Sequence, residues 1–233
     1  MVQVSNIGSN IGSNNSGPGR LPSERVRRKN EARRLGILRA ASRVFRRRGL
    51  AAAGMREIAE EADLSPGNLY HYFSGKDEIL LFCQDRTLEH LLEAVNSARA
   101  SKVPVAEQLR SVMSAHVHCM LDDMEGATAH LEVEALPEAL RGPVIAKRDV
   151  YERAVRALVA HGMKRGEFIP GDASLVTRAM LGAVNWTARW YRPDGSRSVA
   201  EIARSLSDYL VRGLAAAPPS RSARIAAVSG VRK

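Results

Sequence analysis

Three features of the amino-acid sequence predict an all-α fold of about nine helices. Apolar residues recur at intervals of three and four along most of the chain from residue 31 onward, which is the period of an amphipathic helix. Glycine and proline interrupt these stretches at places typical of helix ends. No useful length of sequence alternates apolar and polar residues with period two, so no β-sheet is predicted.

The first helix is indicated by apolar residues that recur at i, i+4, i+7 and i+8, namely Ile37, Ala41, Val44 and Phe45. Gly49 follows them, and glycine at such a place commonly ends a helix. We therefore expect a helix from about residue 31 to residue 48.

The segment from Met55 to Leu80, MREIAEEADLSPGNLYHYFSGKDEIL, is the most informative part of the chain. It predicts a short amphipathic helix, a tight turn at residues 63–65, and a second short helix with Ser65 as N-cap and Pro66 at its first position. Two short helices joined by such a turn form a helix-turn-helix, whose second helix can lie in the major groove of DNA. The residues of this segment that can face inward are Leu69, Tyr72 and Phe73.

The remaining helices are predicted from apolar stripes that lie between proline and glycine breaks. A long helix opens at Lys76, and Pro104 starts the next one. Further helices are expected at about 127–136, 143–162, 172–191 and, after a turn at 193–195, at 199–214.

Positive charge is concentrated towards the ends of the chain. Residues 1–80 carry 14 basic and 8 acidic side chains, residues 81–217 carry 17 of each, and the residues after 217 add 4 basic ones. A basic N-terminal part on a neutral body is typical of a phosphate-binding domain joined to a domain that does not contact nucleic acid. This division predicts a DNA-binding domain at 25–75 and a second helical domain at 76–217.

Both ends of the chain are expected to be disordered. Residues 1–24 contain a Gly/Ser/Asn tract that cannot bury enough apolar surface to offset the entropy of ordering, and residues 218–233 form a basic tail. A basic arm precedes the first helix and consists of Arg20, Arg25, Arg27, Arg28 and Lys29. Two interpretations of this arm stay open: it contacts a phosphate backbone or minor groove, or it is solvated and contacts nothing.

Several classes of protein find no support in the sequence. No run approaches the roughly 18 apolar residues of a membrane span, and the N-terminal residues lack the apolar region of a secretion signal. Cys83 and Cys119 have no CxxC spacing, so we expect reduced core cysteines of a cytoplasmic protein. No nucleophile elbow, phosphate loop or paired-carboxylate motif indicates an enzyme, and no cofactor is expected.

Taken together, these motifs resemble those of the TetR family of bacterial one-component regulators. The stretch ILRAASRVFRRRGLAAAGMREIAEEADLSPGNLYHYFSGKDEIL is similar to the family's three-helix DNA-binding unit and the start of its fourth helix. HGMKRGEFIPGD resembles the linker that many members carry before their eighth helix. One departure is visible: members often have Thr before the second helix, where this chain has Ala53-Gly54, so no DNA contact is assigned there.

The helix-turn-helix supplies the candidate DNA-binding residues. Asn68 is the best candidate for reading a base, because an amide can pair bidentately with adenine in the major groove. Pro66 and Gly67 keep the start of the helix slim, so that its backbone can approach DNA. The resemblance implies that Lys76 meets a phosphate. The other candidates, expected to cap the helix or to position it on phosphate and sugar, are Arg56, Ser65, Tyr70 and His71.

The triple Arg46-Arg47-Arg48 has a structural interpretation. Cations at a helix C-terminus are stabilised by the helix dipole whether or not a ligand is present. We therefore expect these arginines to stabilise the first helix and not to clamp phosphate.

By resemblance, the C-terminal half holds a small-molecule pocket and a dimer interface. Methionine and aromatic side chains make large, adaptable apolar walls, although core packing explains any single one of them equally well. The expected lining residues are His116, Met120, Met124, Leu131, Tyr151, Trp186, Arg189 and Trp190.

The segment NWTARWYRPDG admits two interpretations. It resembles the corresponding segment of family members whose effectors are acyl-CoA thioesters, and an apolar slot beside an arginine suits an acyl chain with a phosphate-bearing head group. Alternatively, it is a helix end at a dimer interface, where aromatic residues are common. A loose group of histidine, cysteine and aspartate around residues 116–130 lacks HxxxH spacing, so His116 is interpreted as a core residue and no metal is expected.

These observations predict a homodimeric, ligand-responsive transcriptional regulator, a repressor more than an activator. Each subunit of a twofold dimer would present one recognition helix to a pseudo-palindromic operator on double-stranded DNA. A small hydrophobic effector, of the acyl-CoA kind, would favour a state that does not fit DNA. The alternative is a structural DNA-associated or interaction factor on the same fold with no effector.

Overall fold

The computed structural model describes residues 24–121 and 133–216 of the 233-residue chain. Within these ranges the protein has eight α-helices and one short 3-10 turn at Val133–Ala135. The helices are α1 (Glu24–Arg48), α2 (Met55–Glu61), α3 (Pro66–Tyr70), α4 (Lys76–Ala100), α5 (Val105–Leu121), α6 (Glu138–Lys164), α7 (Ala173–Trp190) and α8 (Val199–Arg212). The prediction of an all-α fold is confirmed.

Two helices begin earlier than the sequence indicated. α1 starts at Glu24, so Arg25, Arg27, Arg28 and Lys29 lie in its first turns and do not form an extended arm. α6 starts before Pro143, because Pro137 takes the N-cap position and both Leu140 and Val144 pack against the core. The helix expected at 127–136 lies mostly outside the described residues, as does the tail after 217.

Polar caps fix several of the other helix starts. The Asp172 carboxylate accepts hydrogen bonds from the backbone N–H groups of Ser174 and Leu175, which begins α7. Ser198 and Glu201 form a reciprocal capping box at the start of α8. These bonds satisfy donors that the first turn of a helix otherwise leaves unpaired.

A single hydrophobic core runs through the described part of the chain. α1, α2 and α3 pack around Leu38, Val44, Ile58 and Leu69, all of which are fully buried. α5 is the central helix of the C-terminal part, because it packs against α4, α6, α7 and α8. α4 belongs to both parts: its N-terminal end joins the helix-turn-helix and its later turns pack on α5 and α6. A change in the C-terminal core can therefore reach α3 through one continuous helix.

Candidate DNA-binding surface and effector site

α3 is held by a local cap and a buried anchor. The hydroxyl oxygen of Ser65 accepts a hydrogen bond from the Asn68 backbone N–H at 3.2 Å, and Pro66 occupies the first helical position. Asp63, in the preceding turn, adopts a left-handed φ of 53°, which aspartate tolerates better than most residues. Leu69 is fully buried, and this fixes the rotation of the helix about its axis.

The opposite side of α3 faces solvent. Pro66, Gly67, Asn68 and Tyr70 are exposed, and so is His71 at the C-cap. Tyr70 is 55% exposed, so its ring and hydroxyl are accessible to a partner. Arg56 of α2 is also exposed. The sequence-predicted DNA-binding residues other than Lys76 thus lie exposed on α2, on α3 and at the two ends of α3.

Ion pairs fix α2 to the end of α1. The Glu61 carboxylate accepts hydrogen bonds from Arg43 at 2.6 Å and from Arg47 at 2.7 Å, and the Arg48 guanidinium reaches Glu57 at 3.2 Å. The bonds from Arg43 and then Arg47 hold the pKa of Glu61 below its ordinary value. Two of the three arginines at the end of α1 therefore orient α2, in addition to their favourable position at the helix C-terminus.

Lys76 joins the start of α4 to the loop after α1. Its Nζ atom donates hydrogen bonds to the main-chain oxygens of Leu50 and Ala51, each at 3.1 Å. Its side chain is half-buried, so the predicted phosphate contact would come from an ammonium group that is already oriented.

A pair of aromatic rings lies buried between α5 and α6. The Tyr151 hydroxyl lies 3.0 Å from Nδ1 of His116, and the two ring centroids are 5.4 Å apart in an edge-to-face arrangement. Burial lowers the pKa of His116 to about 4, with the charge of Arg148 acting in the same direction. Burial also raises the pKa of Tyr151. Both groups are neutral near pH 7, so one of them donates this hydrogen bond to the other, and the tautomer of the imidazole decides which one is the donor.

Other polar side chains complete this environment, which we call the buried polar cluster: Gln84, His116, Arg148, Tyr151 and Asn185. The Asn185 side chain lies close enough to His116 to favour its protonated form, yet neither Nε2 of His116 nor Oδ1 of Asn185 has a hydrogen bond of good geometry. Arg148 donates to Gln84 at 3.4 Å across α4 and α6. Buried polar atoms that lack a good hydrogen bond can be used by a polar group of a ligand.

Both halves of the chain match known protein families. Residues 37–82 match the model for bacterial regulatory proteins of the tetR family, and residues 102–214 match the tetracyclin repressor-like C-terminal domain. The solved structure of PfmR, a TetR family transcriptional regulator from Thermus thermophilus, is 33% identical with a TM-score of 0.68, covering 76% of this chain and 97% of that one. The chain belongs to the TetR family of transcriptional regulators.

Other TetR proteins are more distant. The transcriptional repressor KstR2 of Mycobacterium tuberculosis is 26% identical over 194 residues, which cover 82% of this chain and 97% of that protein. AibR, solved in complex with isovaleryl coenzyme A and operator DNA, is 23% identical with a TM-score of 0.66, covering 78% of this chain and 97% of that one. The likeness to AibR shows the shared fold.

In the TetR C-terminal domain of this chain, the predicted effector residues fall into a buried group and an exposed group. His116, Met120 and Tyr151 are buried together in the core. Trp186 and Trp190 are 64% and 50% exposed, and Arg189 is exposed as well, so in the single chain they lie on the outer face of α7 and not beside His116. Met124 and Leu131 lie outside the described residues.

Sequence reasoning missed the polar members of the cluster. Asn185 is the residue immediately before Trp186, and Gln84 and Arg148 lie on helices that were interpreted through their apolar residues alone. A polar residue at a core position of an amphipathic stripe was the available signal, because such a residue is retained only where it finds a partner or a function. Within residues 24–121 and 133–216, no group of three or more histidine, cysteine or acidic side chains is arranged to hold a metal ion, and no helix is long and apolar enough to cross a membrane.

Proposed function

We propose that this TetR protein is a homodimeric transcriptional repressor that reads a pseudo-palindromic operator and is released by a small hydrophobic effector, an acyl-CoA thioester. Its activity is regulation of transcription, with no catalytic step. The observation that carries the proposal is α3, whose buried Leu69 turns Asn68, Tyr70 and the slim Pro66-Gly67 edge towards solvent. A helix of this kind fits the major groove, where an amide can read adenine.

A dimer is supported by the outer face of α7. Leu175, Ala179, Gly182, Trp186 and Trp190 follow one another at helical spacing, and all are exposed in the single chain. Small residues at the middle of the stripe permit close approach of a second backbone, and tryptophan is enriched in protein interfaces. A twofold axis at this face would place two copies of α3 on the same side of a duplex.

The effector is proposed to enter the C-terminal core beside the buried polar cluster. Among the relatives, KstR2 is a transcriptional repressor, and AibR binds isovaleryl coenzyme A and operator DNA. Here Nε2 of His116 and Oδ1 of Asn185 are buried polar atoms without a hydrogen bond of good geometry. With the ring protonated at Nε2, a thioester carbonyl would accept from that nitrogen, while Met120 and the neighbouring apolar side chains would surround the acyl chain.

We propose that α4 transmits the effect of the bound effector to the recognition helix, so that the protein leaves its operator. Lys147 of α6 forms ion pairs with Asp85 and, at 3.4 Å, with Glu89, and both of these carboxylates belong to α4. An effector that moves α6 therefore moves α4 and, through it, the distance between the two recognition helices of a dimer. The effector shifts the population only as far as it binds the released state more tightly than the DNA-bound state.

The experiment has two stages. Fragments of the source genome that the purified protein retains are sequenced, and their common motif is taken as the operator. Release of that operator is then measured by fluorescence anisotropy with acyl-CoA esters of increasing chain length, with free coenzyme A and free fatty acid as controls. Release by esters alone supports the proposal. Operator binding that no ester affects overturns the effector part of it, and failure to retain any sequence-specific fragment overturns it entirely.

A further inference from the structure

The strongest feature that the proposed function leaves unused is the N-terminal part of α1. The residues that match the tetR family model begin at 37, and Ile37 is also the first buried residue of the helix. α1 nevertheless starts at Glu24, and all of residues 24–30 are exposed. Two turns of helix therefore project beyond the packed domain, and at 1.5 Å per residue they extend it by about 10 Å.

The turn of α1 at the base of this extension contacts α4 and the segment that follows the recognition helix. The guanidinium carbon of Arg34 lies 4.7 Å from the ring centroid of Phe73, which follows α3, and 4.2 Å from that of Phe82 on α4. Arg34 also reaches the Glu78 carboxylate at 3.8 Å. One side of α1 is thus anchored to the α3–α4 junction at residue 34. One turn further out, Glu31 lies 4.0 Å from Arg86 of α4, and the helix continues outward from there.

The other side of the extension carries a stripe of cations. Arg25, Lys29 and Arg33 are spaced four residues apart, so they align along one face of the helix. At about 100° per residue this face lies roughly opposite Arg34, away from α4. All three side chains are exposed, and within the described part of the chain none of them forms an ion pair. The basic stripe, as we name these three residues, is therefore available to an external anion.

We infer that the basic stripe binds the phosphate backbone of DNA that flanks the operator half-site. The stripe spans about 12 Å, which corresponds to roughly three or four phosphates of one strand at 3.4 Å per nucleotide. The turn of α1 at the base of the stripe is anchored by Arg34 beside Phe73, which follows α3. Phosphate contacts add affinity and orientation without reading sequence. This inference rests on the proposed operator binding, and it adds a second, sequence-independent contact region outside the helix-turn-helix.

The test compares three full-length variants on two duplexes. The first removes the stripe (Arg25→Gln, Lys29→Gln and Arg33→Gln), because glutamine keeps helix propensity while losing charge. The second conserves charge (Arg25→Lys and Arg33→Lys). The third removes three exposed cations of the C-terminal domain (Lys102→Gln, Arg153→Gln and Lys164→Gln), which matches the net charge of the first. The duplexes are the selected operator alone and the same operator with random flanks of about 10 bp on each side.

The salt dependence of binding is the decisive readout. Each lost phosphate contact makes the slope of log K against log salt shallower by about 0.9. We expect the stripe-free variant to bind the flanked operator with a slope shallower by at least two units, and to lose the gain in affinity that flanks give the wild-type protein. The charge-conserving variant and the variant of the C-terminal domain should keep the wild-type salt slope and the wild-type gain in affinity from flanking DNA. The unflanked operator should distinguish the variants least.

The failure of this inference is distinguishable from that of the proposed function. If the stripe-free variant keeps the wild-type slope and the wild-type gain from flanks, the inference is wrong, while specific operator binding still stands. The inference is also wrong if the C-terminal variant loses as much as the stripe-free one, because net charge alone then explains the effect. A stripe that instead governs binding to anionic phospholipid vesicles, with DNA binding unchanged, overturns it as well.

Discussion

The Nζ atom of Lys76 lies 3.1 Å from the main-chain oxygen of Leu50, so the first residue of α4 is bonded to the loop that follows α1. A second bond to Ala51 uses another of the three N–H groups of the ammonium. These bonds hold the ammonium against the loop that joins α1 to α2. The third N–H is then available for a phosphate, and the structural and DNA-binding roles of Lys76 are compatible.

The first prediction concerns Lys76→Ala. The variant should bind operator and random duplex more weakly by the same factor. Its salt slope should be shallower by roughly one unit for each bound subunit, or roughly two for the dimer, because one phosphate contact per subunit is lost. It should also unfold at lower urea concentration, since two hydrogen bonds between α4 and the Leu50–Ala51 loop disappear. Lys102→Ala, an exposed lysine before α5, is the control. Lower stability with an unchanged slope would leave Lys76 with a structural role only.

Asn68→Ala should change the sequence preference of the protein. If its amide reads adenine, the variant loses about 1–3 kcal/mol on the operator, and substitution of the contacted base pair then has little further effect. Affinity for random duplex should stay close to that of the wild-type protein. Tyr70→Phe is the contrast, because loss of a phosphate or sugar contact weakens all sequences alike. Equal losses on operator and random DNA for Asn68→Ala would remove its base-reading role.

Local rules were sufficient to predict the helix-turn-helix from the sequence. Ser65 and Pro66 act within one turn, and the structure shows the hydrogen bond that their pattern predicts. The start of α1 was predicted too late because Arg25 to Lys29 have no apolar stripe, and periodicity detects a helix only where one face is buried. Here a polar extension simply continues a helix that is anchored further along.

The rotation of α7 about its own axis decides which of its residues face the effector site. Thr177, Met180, Val184 and Thr187 form the buried stripe of that helix, and this register turns Trp186 outward and leaves Asn185 near His116. The sequence left two interpretations open for both tryptophans, the lining of an effector pocket or a helix end at the dimer interface. The position of the buried stripe decides which way each side chain of α7 points. When a helix has apolar residues on two faces, its sequence alone does not reveal which face packs in the core and which is covered by a partner subunit.

The buried His116 should make stability depend on pH. Its folded pKa of about 4 lies below the ordinary histidine pKa of 6.5, so the unfolded state binds more protons between these values. The contribution of the neutral His116 to the free energy of unfolding is complete above pH 6.5. It is lost as the pH falls from 6.5 to about 4, a change on the order of 3 kcal/mol. His116→Gln should flatten this part of the curve of unfolding free energy against pH. His118→Gln, two residues away and exposed, should not. An unchanged curve for His116→Gln would mean that the ring is charged or solvated in the folded state.

Gly162 and Gly36 should respond to alanine in opposite directions. A Cβ atom at Gly162 of α6 would overlap the ring of Phe168, which is 1% exposed and has no room to move aside. We expect Gly162→Ala to lower the free energy of unfolding by about 1–3 kcal/mol. A Cβ at Gly36 of α1 meets nothing within 4 Å, so Gly36→Ala should raise stability by about 0.5–1 kcal/mol through helix propensity. Urea unfolding at one fixed protein concentration measures both, and a neutral Gly162→Ala would contradict the packing of Phe168 against α6.

Trp186→Glu should separate the subunits. Trp186 is 64% exposed on the outer face of α7. In the proposed dimer a carboxylate there would be buried against the partner subunit, unpaired and deprived of water. We expect sedimentation velocity to show a monomer at concentrations where the wild-type protein is a dimer, and binding to a full operator to weaken while binding to one half-site is retained. Val150→Glu, at a 45% exposed position of α6 outside this face, should remain a dimer. A dimeric Trp186→Glu protein would place the subunit interface elsewhere, and the two recognition helices would then need a different arrangement to reach successive major grooves.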